Sequence, residues 1–361
     1  VRIGLLVRRL NQLPHVEGIA RAAQGKHEVI LYCDYRDLGG PKDELVPRLG
    51  RLPDRWLALA EARTTWPQSG EVDALIVPGA IGYPADELPI QGIRCCALQT
   101  SWSDLMHWQA EPAWHRIYAW SLWWGREYCL RRNLSPRPRL ENWRFVGPPI
   151  AEHLRWIDPA KVRQEFGLPS GRPVVVYLPL PFGAHAGQTL RLRYWHRYSP
   201  TGDRAVVRAV RRFCDSYGAL LAVKSRAKTS VPDYLRKAAD LVIERDRPGE
   251  PDLLRLLTCA TLMIHYNSMA VVEAAVARVP APCIRFPAAW WPAYPDDRGG
   301  LFSPSVPVCR ASRWLSDTSA HIDGVSHNYR TLYLGWTELG EQSGQRIVSD
   351  LIDSCQGGGG A

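Results

Sequence analysis

The chain predicts two α/β domains, each built on a parallel, doubly wound sheet, and three observations predict it. Its 361 residues exceed what one hydrophobic core usually serves. An apolar run, Val1–Val7 (VRIGLLV), opens the chain, and a second such opening, Pro173–Leu178 (PVVVYL), comes about half-way along. After each opening, apolar strands alternate with polar turns and helix-length segments, the order a βαβ unit requires.

The elements follow in turn. A polar loop after Val7 leads to a helix over Val16–Gln24 and a strand over Glu28–Cys33. Strands are expected at Ala74–Val77, Arg94–Leu98 and Ile117–Ala119. The first domain, residues 1–150, closes at FVGPPI, where Gly147, Pro148 and Pro149 break regular structure. The second, residues 151–335, opens with a helix over Pro159–Phe166 and continues with strands at Ala219–Lys224 and Leu241–Glu244. A last helix, Gly344–Ser354, lies in a segment, 336–354, that is able to pack back on the first domain. The tail, 355–361, carries four glycines and is expected to be flexible.

The richest stretch is Asp252–Pro287, DLLRLLTCATLMIHYNSMAVVEAAVARVPAPCIRFP. It reads as helix, buried strand ending at His265, polar turn, helix and strand. A strand that empties into a helix start offers free backbone N–H groups and the positive end of a dipole, a natural seat for phosphate. The turn carries Asn267 and Ser268, and Glu273 follows on the helix, where a carboxylate suits a vicinal diol such as ribose. A pocket for a nucleoside diphosphate is the architecture implied.

Composition narrows the classes. Hydrophobic residues make up 46% and charged residues 22%, enough apolar side chains for two ordinary cores. The net charge is +9, and only six of the 45 basic residues are lysine. Arginine suits phosphate-bearing ligands or an anionic membrane face. The charges form no long basic tract, which argues against nucleic acid. Nine cysteines show no CxxC spacing, and their odd number without a secretory signal points to a reducing cytoplasm. No run of 18 uninterrupted apolar residues occurs, so no membrane-spanning helix is expected. The tryptophans Trp102, Trp108, Trp114, Trp120, Trp123, Trp124 and Trp143 keep no single helical face, which favours packing over a sugar-stacking or membrane patch.

Five segments carry a resemblance. FVGPPIAEHL resembles a "V-x-G-x-P" interdomain turn, and EFGLPSGRPVVVYLPLP a C-terminal domain opening of the type "lgl-x-x-x-(k/r)-p-v-v-l-y". LLAVKSRAK stands in place of a "v-K-x-H-P" strand end, and HYNSMAVVEAAVARVPAP resembles "d-y-S-S-x-x-x-E-a-a-x-x-g-k-P". SGQRIVSDLI is similar to a closing "a-s-e-r-I" helix. Together they resemble GT-B glycosyltransferases of the bacterial surface-carbohydrate and CDP-glycerol glycerophosphotransferase kind, over most of the second half and by topology in the first. The resemblance implies two Rossmann-like domains facing a central cleft, an N-terminal acceptor domain and a C-terminal nucleotide-sugar donor domain. Gln99-Thr100-Ser101 stands where Gln-His-Gly is frequent, Arg226 replaces the motif histidine, and Asn267-Ser268 replaces Ser-Ser. These departures speak against glycerophosphate transfer and for sugar transfer.

Inverting GT-B chemistry needs no metal and no cofactor beyond the donor: basic groups neutralise the leaving diphosphate, and a base takes the acceptor proton. On this chain the donor-binding candidates are Lys224, Arg226, Asn267, Ser268 and Glu273, with Gly183 and His185 from the loop after Pro173–Leu178. His15, in the loop after the first strand, is the first candidate base, and Asp104 the competitor. Arg8 and Arg9 are candidates for holding an anionic acceptor. The acceptor is expected to be a hydroxyl, on a glycan or a lipid-linked molecule, and the arginines and tryptophans admit peripheral contact with the inner membrane face. UDP-sugar 2-epimerases share the fold and much of the nucleotide loop, and a non-catalytic nucleotide-sugar-binding relative is the third class. HExxH, DxD and GxSxG motifs do not occur, which disfavours metal and serine hydrolysis; Asp296-Asp297 reads as a solvated loop pair.

Overall fold

A computed structural model describes residues 1–7, 12–34, 54–57, 66–79, 90–100, 114–122, 124–126, 140–179, 200–225, 231–244, 250–265, 268, 270–285, 305–307 and 342–356. The chain divides into two compact units. The first comprises Val1–Trp156, Arg247–Glu250 and Thr331–Ala361; the second comprises Ile157–Asp246 and Pro251–Arg330.

The first unit holds a seven-stranded parallel sheet. Its strands are β1 (Arg2–Val7), β2 (Glu28–Asp34), β3 (Arg55–Leu57), β4 (Ala74–Pro78), β5 (Arg94–Leu98), β6 (Arg116–Ala119) and β7 (Trp143–Phe145), in the order β3-β2-β1-β4-β5-β6-β7. From Ile3 to Val7 every residue of β1 is buried or a glycine, as a central parallel strand covered on both faces requires. Helix α1 (Leu13–Ala23) lays Val16 and Ile19 on Ile3, Leu5 and Ile76. Gly4 suits the crowded centre of this sheet: a Cβ there would stand 2.9 Å from Leu75. After β7, Gly147 adopts φ 80° and a 3-10 helix runs over Pro149–Trp156.

The second unit holds a four-stranded parallel sheet of β8 (Val174–Tyr177), β9 (Leu220–Lys224), β10 (Leu241–Ile243) and β11 (Leu262–Ile264), ordered β10-β9-β8-β11. Helix α2 (Pro159–Glu165) precedes it, with Asp158 accepting the Ala160 N–H at 2.9 Å as the N-cap. Helix α3 (Pro200–Ser216) buries Val206, Val207, Val210 and Cys214, one helical stripe, against Val175, Tyr177, Leu221 and Val223. Helices α4 (Asp233–Ala238), α5 (Asp252–Leu257) and α6 (Ala270–Val276) complete the crossovers. Strands β12 (Cys283–Arg285) and β13 (Ser305–Pro307) pair in parallel, and the Met263 and His265 N–H groups donate to the Pro280 and Pro282 carbonyls.

Helix α7 (Ser343–Gln356) belongs to the first unit and packs on α1 and the 3-10 helix. Tyr118 donates its hydroxyl to Asp350 at 2.9 Å, and Arg144 pairs with the same carboxylate at 2.8 Å. In the tryptophan-rich stretch, Trp114, Trp120, Trp124 and Trp143 are buried, so they pack the first unit. Among the described residues, no helix is long and apolar enough to cross a membrane.

Both sheets arise where the apolar runs predict them. The three-residue strands β3 and β7, the helices α3 and α4 and the 3-10 helix go beyond the sequence expectation, and α1 begins three residues earlier than expected. Strands of three residues show no alternation to detect. Pro14 lies in the first turn of α1, where its missing N–H costs nothing and its fixed φ favours the start.

Candidate functional site

In an open parallel sheet, ligands bind outside the carboxyl ends of the strands, at the point where strand order reverses. The first unit reverses between β1 and β4, and the second between β8 and β11. Each unit therefore has its own crevice.

In the first unit, Gln12 precedes α1 and its Nε2 donates to the Pro78 carbonyl at 3.1 Å, tying the helix start to the end of β4. The sequence predicts His15 in the preceding loop; the structure places it in the first turn of α1 and 5% exposed, because the helix starts at Leu13. Its ring lies parallel to Trp120, with centroids 6.3 Å apart. His15 Nδ1 is buried without a hydrogen-bond partner among the described residues. Burial, and secondarily the neighbouring His153, lower its pKa to about 3, so the imidazole is neutral.

Gln99 directly follows β5 and is engaged with Trp120 twice. Its side-chain oxygen accepts the Trp120 backbone N–H at 3.0 Å, and its carbonyl accepts the indole N–H at 2.9 Å. Thr100 and Ser121, each two residues beyond the ends of β5 and β6, are buried as well. Arg8, Arg9 and Asp104 lie outside the described residues.

In the second unit, Lys224 ends β9 and is 4% exposed; its Nζ donates to the Ser225 carbonyl at 2.8 Å. Two strands away, beyond β8, His265 directly follows β11. Adjacent strands are about 4.8 Å apart, so the ends of β9 and β11 are separated by about 10 Å. The Leu178 N–H donates to the Ile264 carbonyl at 2.9 Å, holding β8 and β11 together just before the chain departs from each.

Ser268 is the described part of the turn after β11. Its Oγ accepts the Ala270 N–H at 3.3 Å and its carbonyl accepts the Val271 N–H at 3.2 Å, so it caps α6. Its own N–H donates to His265 Nδ1 at 3.1 Å. The seryl hydroxyl proton keeps its donor capacity. Glu273 follows in the first turn of α6, half-buried between Val272 and Ala274. Gly183, His185, Arg226 and Asn267 lie outside the described residues.

Thus Lys224, Ser268 and Glu273 belong to the second unit, Lys224 at the carboxyl end of β9 and the other two beyond that of β11, and His15 belongs to the first. Sequence reasoning treats His265 only as a strand end. The signal that identifies it is a histidine closing a strand three residues before a capping serine, a spacing at which a ring nitrogen meets a backbone N–H. Gln12 and Gln99 carry no motif and show themselves only through their long-range bonds. Among the described residues, no cluster of His, Cys, Asp and Glu is placed to hold a metal ion.

No family model matches the chain, and no curated protein matches it in sequence. Solved structures do resemble it. The Neisseria meningitidis UDP-GlcNAc 2-epimerase bound to UDP-GlcNAc aligns at TM-score 0.61 and 10% identity, over 98% of this chain and 100% of that one. The S. aureus MnaA–UDP co-structure aligns at TM-score 0.58 and 10% identity, over 98% and 97%. The wall teichoic acid polymerase TagF aligns at TM-score 0.61 and 9% identity, over 99% and 90%. These likenesses show that the chain has the GT-B fold, with two Rossmann-like domains.

Proposed function

We propose that the protein is an enzyme acting on a nucleotide-sugar, with the nucleoside diphosphate held at the β8–β11 crevice of the second unit. The observation that carries this reading is the capped turn at that crevice, where Ser268 opens α6 and Glu273 follows within its first turn. Lys224, at the end of β9, supplies a cation to the diphosphate, with Arg226, Asn267, Gly183 and His185 as its partners in the role. Glu273 takes the ribose diol. Solved structures of the same fold carry UDP or UDP-GlcNAc in their names, which supports a uridine donor.

The reaction we favour is transfer of the sugar to a hydroxyl acceptor in the first unit. The acceptor oxygen attacks the anomeric carbon, the bond from that carbon to the diphosphate oxygen breaks, and a base takes the acceptor proton. The sugar is inverted and no metal takes part. Proton transfer is best served by a base whose pKa lies near the working pH. The enclosed His15, depressed to about 3, is neutral and meets that condition poorly; His15 and Asp104 stay the two candidate bases. Arg8 and Arg9 then hold an anionic acceptor. The setting that goes with this reading is cytoplasmic, with the acceptor free or at the inner membrane face.

A second reading, epimerisation at sugar C2, is favoured by the names of the solved structures, among which UDP-GlcNAc 2-epimerases recur. Incubation with UDP-GlcNAc, followed by proton NMR of the sugar, separates the two. An epimerase produces the C2 epimer with no acceptor present. A transferase releases UDP only when an acceptor hydroxyl is added. Saturable binding with no turnover under either condition leaves a binding protein, and absence of binding to any nucleotide-sugar overturns the proposal.

A further inference from the structure

The β8–β11 crevice depends on a side chain that no motif singles out. His265 directly follows β11, is 2% exposed, and uses both ring nitrogens. Nδ1 receives the Ser268 backbone N–H at 3.1 Å. Only a lone pair accepts, so the ring proton is on Nε2, which lies 3.2 Å from the Ala281 carbonyl and donates to it. The His265 backbone N–H donates to the Pro282 carbonyl at 3.3 Å. One residue thereby joins three parts of the chain: the end of β11, the capping residue of α6 and the segment that leads into β12.

We infer that His265 is a positioning residue for the ligand turn, its neutral ring pinning Ser268 so that the seryl hydroxyl is held at the crevice. The inference rests on the reading that this crevice takes a nucleoside diphosphate. Its physical basis is the count of bonds at Ser268. Oγ and the carbonyl are engaged with α6, so the N–H is the one backbone group through which the strand can hold the serine from the other side. Without that tie, the helix cap moves with α6 and its hydroxyl is no longer referenced to the sheet. Preorganisation of this kind lowers the cost of binding without adding any contact to the ligand.

Two conservative variants divide the ring's roles. In His265→Asn the amide oxygen takes the place of Nδ1, keeping the Ser268 bond and losing the Ala281 bond. In His265→Gln the longer amide reaches toward Ala281 and leaves the Ser268 N–H without its acceptor. Both lose one buried hydrogen bond, so both are expected to melt at similarly reduced temperatures. The readouts are amide hydrogen exchange across 262–276 without ligand, and UDP affinity by calorimetry. The Asn variant is expected to protect the Ser268 amide and bind UDP within about threefold of the wild type, whereas the Gln variant loses about tenfold in each. Equal exchange at Ser268 in the two variants overturns the inference, whatever the affinities. The expected exchange pattern with no UDP binding by the wild type overturns the nucleotide reading alone.

Discussion

Glu152 accepts the backbone N–H of Gly344 on Oε2 at 3.1 Å, joining the 3-10 helix after the first sheet to the start of α7 across 192 positions of sequence. The carboxylate is wholly buried, and its other oxygen receives Arg155 Nη1 at 2.8 Å. An N-terminal N–H of a helix has no partner within the helix, so Glu152 satisfies at long range what a local cap ordinarily does. Glu152→Ala removes that acceptor and leaves a buried N–H, while the part-exposed Arg155 guanidinium turns to solvent. A loss of about 1–3 kcal/mol is expected, read as a lower denaturant midpoint with an unchanged slope. Glu152→Gln keeps one acceptor and is expected to lose about half as much.

The same junction explains Gly18. A Cβ on Gly18 would stand 2.2 Å from the Pro149 carbonyl oxygen and 3.0 Å from its carbon, both backbone atoms. Gly344 is also close, with its Cβ position 2.7 Å from the Gly18 carbonyl oxygen. Neither neighbour is able to swing away as a side chain would. Gly18→Ala is expected to destabilise by about 2–3 kcal/mol or to separate α1 from the 3-10 helix. Retention of wild-type stability in this variant would show that the helices have room the structure does not give them.

The fold was legible because its central strands are long, apolar and bounded by turns: β1, β2, β4, β5, β8 and β9 each announce themselves in the sequence. The Glu152–Gly344 and Tyr118–Asp350 ties were not, since no local pattern relates residues so far apart. Within the site, Ser268 reads correctly as the start of a helix because a serine before an apolar run is a cap signal. His15 was misplaced for a local reason. Loop and first helical turn are separated only by where Pro14 falls, and proline is compatible with both. His265 was passed over because a lone histidine at a strand end has no meaning until its two hydrogen-bond partners are seen.

Acid sensitivity follows from two enclosed imidazoles. Burial first, then proximity to His153, lowers His15 to about 3. Burial lowers His153 to about 4, partly opposed by the 2.8 Å bond to the Pro14 carbonyl and aided by Arg21. Both pKa values fall below the ordinary value of 6.5, so above that pH neither folded nor unfolded imidazoles carry a proton and the pair has no effect on stability. As the pH falls below it, the unfolded chain takes up protons that the folded one refuses, and stability declines until the folded groups titrate. Each histidine contributes a slope approaching about 1.4 kcal/mol per pH unit in that window. His153→Gln keeps a donor for Pro14 and removes the titration. Denaturant midpoints between about pH 7 and about pH 4.5 are expected to fall less steeply in this variant, and an unchanged slope would reject the assignment.

Arg278 occupies a backbone position suited to glycine. It follows α6 with φ 62°; its N–H reaches the Ala275 carbonyl at 3.2 Å, and the Val279 N–H reaches the Ala274 carbonyl at 2.8 Å. That pair of bonds is a Schellman ending, whose left-handed residue is strained by any Cβ. Arg278 is exposed and its side chain contributes no described contact. Arg278→Gly is expected to stabilise the protein by about 0.5–1 kcal/mol, seen as a rise in melting temperature without loss of nucleotide binding. A fall in melting temperature would mean that the arginine makes a contact worth more than the strain.

Lys224 tests the donor site from the opposite side to His265. It stands at the end of β9, enclosed, with its Nζ donating to the Ser225 carbonyl at 2.8 Å. A cation at a strand's carboxyl end acts on a ligand's phosphates and not on its base. Lys224→Met preserves much of the buried stem and removes the charge. UDP affinity is therefore expected to fall about tenfold, while the affinity for uridine, which carries no phosphate, stays within about twofold of the wild type. Loss of both in the same proportion would assign Lys224 to the packing of β9. Loss of neither would move the diphosphate away from this strand and leave the turn at Ser268 to hold it without help from Lys224.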